Sequence, residues 1–513
     1  MDPALSRDSK DLRSDTLLAT RWQILARASR LVSQLAISIL LARLLSPADF
    51  GVMALCMLVT SVAAAAGNLG LGAAVVNRQE LTNRHLQLGL AVSLISGVVA
   101  AIAIFALSPS LTRMMGIPGA AEPLRSLAPL LLINAWGGMA RAVLIRRLDF
   151  RRLFFVDFSG FFLGYGVTGV ACALKGLGVW SLILSTLVQS VTSTLVCIQL
   201  VRPPLIPRIG RREMRELISF GLGISLNRTL NLVVTQVDRL VVSSALGPMA
   251  LGLYARANQI LQLPGDFFAT SLGSVIFPTF SRIKDDRARL SRAYRQTTVT
   301  SSLLLLPLSV TLLILCPEII SVLFGEQWTK AILPAQILVL ASAFRSQDRI
   351  TSSLLKAMGA LRVLFLADTI LLLLVCILSW PAANRYGLEG VAVVVSLATT
   401  LAFALKLTNA RRRLDPIQLW QSHWPILRAA ILTGLSVGLT KALLGVVTDS
   451  QVILLVGGGV SSVFSTVAFL RDPRLISPKN HQLWYSLIAE LGLPRFVASW
   501  LSGKPEPLLS NTT

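Results

Sequence analysis

Apolar runs of bilayer length recur along this chain, separated by short polar stretches. They fall at 22–45, 51–76, 86–108, 122–144, 153–174, 179–201, 217–243, 251–280, 298–322, 331–355, 363–382, 388–408, 424–445 and 452–470. A hydrocarbon core about 30 Å thick is crossed by roughly 20 helical residues. In lipid the backbone must satisfy its own hydrogen bonds, so an isolated open sheet is excluded and each run predicts a helix. The pattern predicts an all-α polytopic membrane protein with about 14 transmembrane helices.

Composition agrees: the 513 residues are 54% hydrophobic. The net charge of +23 resembles a nucleic-acid signature until its distribution is read. Eight alternate stretches (1–21, 77–85, 145–152, 202–216, 282–295, 356–362, 406–413 and 471–513) hold 32 of the 48 Lys and Arg residues. The intervening connections hold only Arg113, Lys175, Lys330 and Arg385. Lys and Arg in short loops stay cytoplasmic, so a multi-pass protein with both termini in the cytoplasm is expected. Basic residues capping spans on one side would meet anionic membrane lipids. No soluble domain remains to bind nucleic acid, and no cleavable signal peptide is apparent.

An internal repeat organises the spans. Leu45-Ser46-Pro47-Ala48-Asp49-Phe50-Gly51-Val52-Met53-Ala54 matches Leu246-Gly247-Pro248-Met249-Ala250-Leu251-Gly252-Leu253-Tyr254-Ala255 at an offset of 201. Six helices apart, the copies share one orientation, as in transporters built from parallel repeats. The expected organisation is a cytoplasmic tail (1–21), an N-terminal six-helix bundle (22–201) and a basic cytoplasmic linker (202–216). A second, pseudo-symmetric six-helix bundle (217–408), two appended helices (409–470) and a cytoplasmic C-terminal tail (471–513) follow. Within the tail, 479–501 reads as an interfacial amphipathic helix or a loosely ordered segment.

Beyond the cations of those stretches and connections, twelve lie inside the apolar runs: Arg27, Arg30, Arg43, Arg125, Arg141, Arg228, Arg239, Arg256, Arg345, Arg349, Arg428 and Lys441. Each would cost about 2.5–3.5 kcal/mol at mid-bilayer, so they need water, a partner or an anion. Arg43, Arg125, Arg256 and Lys441 lie near span ends, where they can snorkel. Arg345 and Arg349 flank Asp348, a candidate ion pair. On the first span Arg27, Arg30, Gln34 and Ser38 fall within roughly 80° of one helical face. On the seventh, Asn227, Asn231, Thr235 and Asp238 form a comparable stripe bordered by Arg228, with Arg239 farther round. The candidate cationic cavity is therefore Arg27, Arg30, Gln34, Arg141, Asn227, Arg228, Asn231 and Arg239. Asp238 and Asp266 are candidates for ion coupling or an ion pair. Cations outnumber acids within the spans, which favours an anionic cargo, and the Arg fork suits phosphate or pyrophosphate.

No phosphate-cradling Gly-rich loop occurs, and His85, His423 and His481 are scattered, so no catalytic residue, cofactor or metal site is expected. The five cysteines lie in apolar spans and read as small buried hydrophobes. A membrane glycosyltransferase or polymerase would need an external domain that the short connections do not provide.

The chain resembles the Wzx-type oligosaccharide flippases of the multidrug/oligosaccharidyl-lipid/polysaccharide exporter superfamily. The resemblance is carried by Leu44 to Ala54, by Asn68-Leu69-Gly70-Leu71-Gly72 through Asn77-Arg78, by Asp238-Arg239 through Ala257, and by Pro264 and Phe277-Pro278. It implies flipping of a polyprenyl-pyrophosphate-linked oligosaccharide from the inner to the outer leaflet of the bacterial inner membrane, by alternating access. It also implies work beside a polysaccharide polymerase and export machinery. A peptidoglycan-precursor lipid flippase shares the cationic cavity and stays open as an alternative. A multidrug cation antiporter shares the fold but should carry a carboxylate where this chain has Arg27 and Arg30.

Overall fold

The computed structural model describes residues 33–67, 83–147, 149–202, 232, 235–259, 276–414, 419–447 and 450–471. These residues are overwhelmingly helical, and no strand occurs among them. Eight helical stretches among them are long and apolar enough to cross a membrane. Two of those, 235–259 and 361–413, are broken internally by a glycine with positive φ, Gly247 at +79° and Gly387 at +61°. An L side chain would be strained at such a φ, so these positions are where one helix ends and the next begins.

The chain divides into two compact units, Met1–Ala255 and Arg256–Thr513. The first contains α1 (Ser33–Leu44), α2 (Pro47–Gly67), α3 (Asn83–Met114), α4 (Pro129–Arg146), α5 (Phe150–Leu174), α6 (Val179–Val201), α7 (235–246) and the start of α8 (248–259). Its helices approach closely where side chains are small. Gly137 of α4 faces Thr194 of α6, and Gly160 and Gly164 of α5 face Ser193, Gln189 and Ser185 of α6. Small residues at such crossings let backbones pack where lipid supplies no hydrophobic drive. Midway along α5 the winding widens to a π-helix over Phe162–Gly169, and Thr168 Oγ1 donates to the Leu163 carbonyl at 3.0 Å.

The repeated Pro-containing turn is built twice by different chemistry. In the first copy Ser46 N and Oγ donate to Asp49 Oδ2 at 3.0 and 2.6 Å, and the Asp49 amide donates to Ser46 Oγ at 3.3 Å. This is a reciprocal capping box, with Pro47 at the first helical position of α2 where its missing N–H costs nothing. The second copy has Gly247 and Ala250 in place of Ser46 and Asp49, and makes the turn through the left-handed Gly247 instead. The two copies then meet each other. A Cβ on Gly51 would collide with the Pro248 carbonyl, and a Cβ on Gly252 would collide with the Pro47 carbonyl. Residues paired by the 201-residue offset therefore exchange places in one reciprocal contact between α2 and α8.

The second unit contains the end of α8, then α9 (Arg287–Ile314), α10 (Ile332–Ala357), α11 (361–386), α12 (388–413), α13 (Leu419–Val447) and α14 (Gln451–Arg471). The basic stretch 282–295, expected as a connection between spans, is mostly helix: Asp286 caps α9 by accepting from the Arg289 amide at 2.9 Å. Apolar periodicity marks where a helix enters lipid, and α9 simply continues past that point into a polar segment. The pair α13–α14, which stands outside the repeat, docks on α9. Thr311 and Ser462 hydroxyls lie 2.5 Å apart, and Ser321 donates to Gln451. Large apolar side chains such as Phe105, Phe365 and Leu397 are exposed at 60–71%, as bilayer-facing positions require.

Candidate functional site

Of the residues assigned to the cationic cavity or to ion coupling, Arg27, Arg30, Asn227, Arg228, Asn231 and Asp266 lie outside the described residues. Gln34 is exposed on α1. Arg141 is half-exposed on α4 and held by Asp157 of α5. The pair is bidentate, with Nη1 donating to Oδ1 at 2.6 Å and Nη2 to Oδ2 at 2.9 Å. It rests on a small apolar cluster of Ala140, Leu144, Leu153, Val156 and Cys197, which fixes the two helices and hence the fork. Fork-to-carboxylate geometry is the strongest arrangement open to these groups. Asn134, two turns from Arg141, is also exposed.

Asp238, expected to couple an ion or pair with a neighbouring Arg, accepts a hydrogen bond from the buried Tyr254 hydroxyl at 2.9 Å. Its other oxygen accepts from the Arg239 backbone amide at 2.9 Å. The carboxylate thus ties α7 to α8 just beyond the Gly247 turn, through a phenol rather than a guanidinium. Arg239 is partly buried on α7.

Three charged clusters in the second unit differ from the sequence expectations. Lys406, counted with the basic residues that cap a span, is only 3% exposed. Its Nζ lies 3.0 Å from Asp348 of α10 and 2.9 Å from Asp368 of α11. The helix runs on to Arg413, so Lys406 lies about two turns before its basic end. Asp348, expected to pair with Arg345 or Arg349, therefore takes its ammonium from α12. Arg256, expected to snorkel, is buried, stacks over Phe324 and Trp328 with its guanidinium carbon 5.3 and 5.4 Å from the ring centres, and donates to Gln259 at 2.6 Å. Cation–π stacking gives a desolvated guanidinium a substitute for water. Lys441, also expected to snorkel, bridges to the buried Glu318 at 2.7 Å and donates to the Ile314 carbonyl at 3.2 Å. Arg125, by contrast, sits near a helix end with Glu122 at 2.8 Å.

Intramembrane charges here are thus handled in two ways. Lys406, Lys441 and Arg256 are structural, neutralised or stacked inside one unit. Arg141, although paired with Asp157, stays on an open helix face beside the uncharged Asn134. Among the described residues no group of three or more His, Cys, Asp or Glu side chains could hold a metal ion. The arrangement offers hydrogen bonds and charge to a ligand; no nucleophile–base pair stands out in it.

Comparison with known proteins bears on family and fold. Residues 40–333 match the family described as polysaccharide biosynthesis protein. The chain is 27% identical over 464 residues to the succinoglycan biosynthesis transport protein ExoT of Rhizobium meliloti, covering 88% of this chain and 92% of ExoT. It is 22% identical over 397 residues to the lipopolysaccharide biosynthesis protein WzxC of Escherichia coli, covering 76% and 80% of the two. Among solved structures, the lipid II flippase MurJ in an inward closed conformation superposes with a TM-score of 0.69 at 16% identity, covering 87% of this chain and 97% of MurJ. The shared fold is thus that of multi-pass membrane transport proteins.

Proposed function

The chain belongs to the polysaccharide biosynthesis protein family, and from that premise we propose that it flips a polyprenyl-pyrophosphate-linked oligosaccharide repeat unit from the inner to the outer leaflet of the bacterial inner membrane. The observation that carries this reading is the similarity to ExoT, a succinoglycan biosynthesis transport protein, along nearly the whole of both chains. The excess of arginine over carboxylate within the spans supports an anionic head group, because a guanidinium fork matches phosphate oxygens. Arg27, Arg30 and Arg228 are the residues proposed to meet the pyrophosphate, with Gln34, Asn227, Asn231 and Arg239 lining the same polar surface. The mechanism proposed is alternating access, biased only by differential binding of cargo or coupling ion to the two states. The distribution of basic loops supports a cytoplasmic location for both termini. The product would be delivered to a polysaccharide polymerase and export machinery for exopolysaccharide, capsule or O-antigen synthesis. The likeness to MurJ reflects the fold and does not favour a peptidoglycan precursor as cargo.

The test is mass spectrometry of polyprenyl lipids from a deletion strain, combined with a leaflet-accessibility assay. A lipid-linked oligosaccharide trapped on the cytoplasmic face, cleared by the wild-type gene and not by Arg30→Ala, is expected. A normal lipid pool with altered sensitivity to cationic drugs would remove the reading and favour an antiporter.

A further inference from the structure

Arg141 is a poor candidate for the pyrophosphate once its partner is known. Both of its terminal nitrogens are committed to Asp157, at 2.6 and 2.9 Å, so the pair as a unit carries no net charge. Binding a pyrophosphate there would require the guanidinium to leave a carboxylate it already satisfies, or the anion to approach that carboxylate. Yet the Arg141 side chain is 43% exposed, five residues inside the end of α4. A group of this polarity cannot face hydrocarbon without a large cost.

The surroundings of α4 show which way it faces. Asn134, Gly138 and Arg141 follow one another at four and three residues and form a single stripe. Asn134 is exposed, and nothing lies within 4 Å of where a Cβ on Gly138 would sit. On one flank of the stripe Gly137 packs against Thr194 of α6, and on the other Leu131 and Ala135 pack against Gly97 of α3. The opposite side of the helix, about 140–160° round, exposes Trp136. One helix therefore opens to its environment on two opposite sides, one apolar and one polar. In a membrane the apolar side meets lipid and the polar side meets water or a hydrated ligand.

The geometry points to a sugar-binding subsite on this stripe: the neutral Arg141–Asp157 pair and Asn134 recognise hydroxyl groups of the cargo's oligosaccharide, and the bare backbone at Gly138 lets a ring approach between them. This rests on the flippase reading above and deepens it, by separating the part of the protein that reads the glycan from the part that holds the pyrophosphate. The chemistry suits the assignment. A guanidinium has five N–H donors, and two committed to Asp157 leave three in a fixed plane. An amide both donates and accepts, as a sugar hydroxyl does. Asn134 and Arg141 are about 10 Å apart along the helix axis, room for more than one ring. Sites that hydrogen-bond hydroxyls discriminate by pattern rather than by charge, which is what a carrier selective for one repeat unit needs. Asp157 is a positioning residue here: it holds the guanidinium plane.

The test uses full-length protein in detergent with two probes. One is undecaprenyl pyrophosphate. The other is the polyprenyl-pyrophosphate oligosaccharide extracted from a strain lacking this protein. Wild type is expected to bind the glycosylated lipid about tenfold more tightly than the bare one. The double variant Arg141→Gln/Asp157→Asn, which keeps shape and removes both charges, should lose most of that advantage. Its affinity for the bare lipid should stay within about twofold. Asn134→Ala, at an exposed position, should act in the same direction, and it decides the matter if the double variant does not fold. Equal loss for both probes in the variants would put Arg141 and Asn134 on the pyrophosphate and overturn the subsite, as would an undiminished sugar advantage. Wild type binding both probes equally overturns the subsite alone. Wild type binding neither removes the flippase reading and the subsite together.

Discussion

Replacing Gly51 by alanine tests whether the reciprocal α2–α8 contact is a working contact of this state. The added methyl would collide with the Pro248 carbonyl oxygen and would lie 3.0 Å from the Gly252 amide nitrogen. Both obstacles are backbone, so no rotamer change relieves them and one helix must move away from the other. Overpacking of this kind costs about 1–3 kcal/mol, occasionally more. At about 1.4 kcal/mol per decade, the population with the contact closed falls roughly 5- to 150-fold relative to states in which it is open. The assay is labelling of a single cysteine at Ala48, beside the contact, by a membrane-impermeant maleimide. It needs a background in which Cys56, Cys172, Cys197, Cys316 and Cys376 are replaced. Gly51→Ala should raise the labelling rate within that range. Gly252→Ala should do the same, because its methyl would meet the Pro47 carbonyl and lie 3.0 Å from the Gly51 amide nitrogen. The double variant should differ little from either single one, since one separation of the helices relieves both collisions. Unchanged labelling in both single variants, or fully additive effects in the double, would refute the reciprocal contact.

Two further outcomes concern the buried charges. Lys406→Met leaves Asp348 and Asp368 facing each other without their ammonium and should cost about 3–5 kcal/mol, read as a lowered unfolding midpoint in detergent. Adding Asp348→Asn should recover part of that loss, and no recovery would mean that Lys406 acts through packing alone. Lys441→Met strands the buried Glu318 carboxylate and should cost about 3–5 kcal/mol, whereas Glu318→Gln, which keeps a hydrogen-bond acceptor for the lysine, should cost less. Equal losses in these two variants would count against the Glu318–Lys441 pair as the tie between α13 and the short helix Cys316–Ile319 that follows α9.

The membrane class and the helical form of the apolar runs among the described residues were legible in the sequence. Bilayer thickness and the need for internal backbone hydrogen bonds leave a 20-residue apolar run no other form. The offset that aligned Pro47 with Pro248 and Gly51 with Gly252 proved to be a statement about space, since those four residues meet. Helix ends were less legible, because hydropathy reports where lipid stops and not where hydrogen bonding stops; α9 begins at Arg287 in a segment that reads as loop. The fate of each buried charge was not legible at all. Lys406 and Arg141 look alike in sequence, each a cation near the end of an apolar run. Lys406 is enclosed by carboxylates from two other helices, while Arg141 stays on an open face with one. Partners separated by 16 to 58 residues are brought within 3 Å by helix packing. Sequence determines that a charge within a span must be compensated, and only the tertiary arrangement decides whether a protein group or a ligand does it.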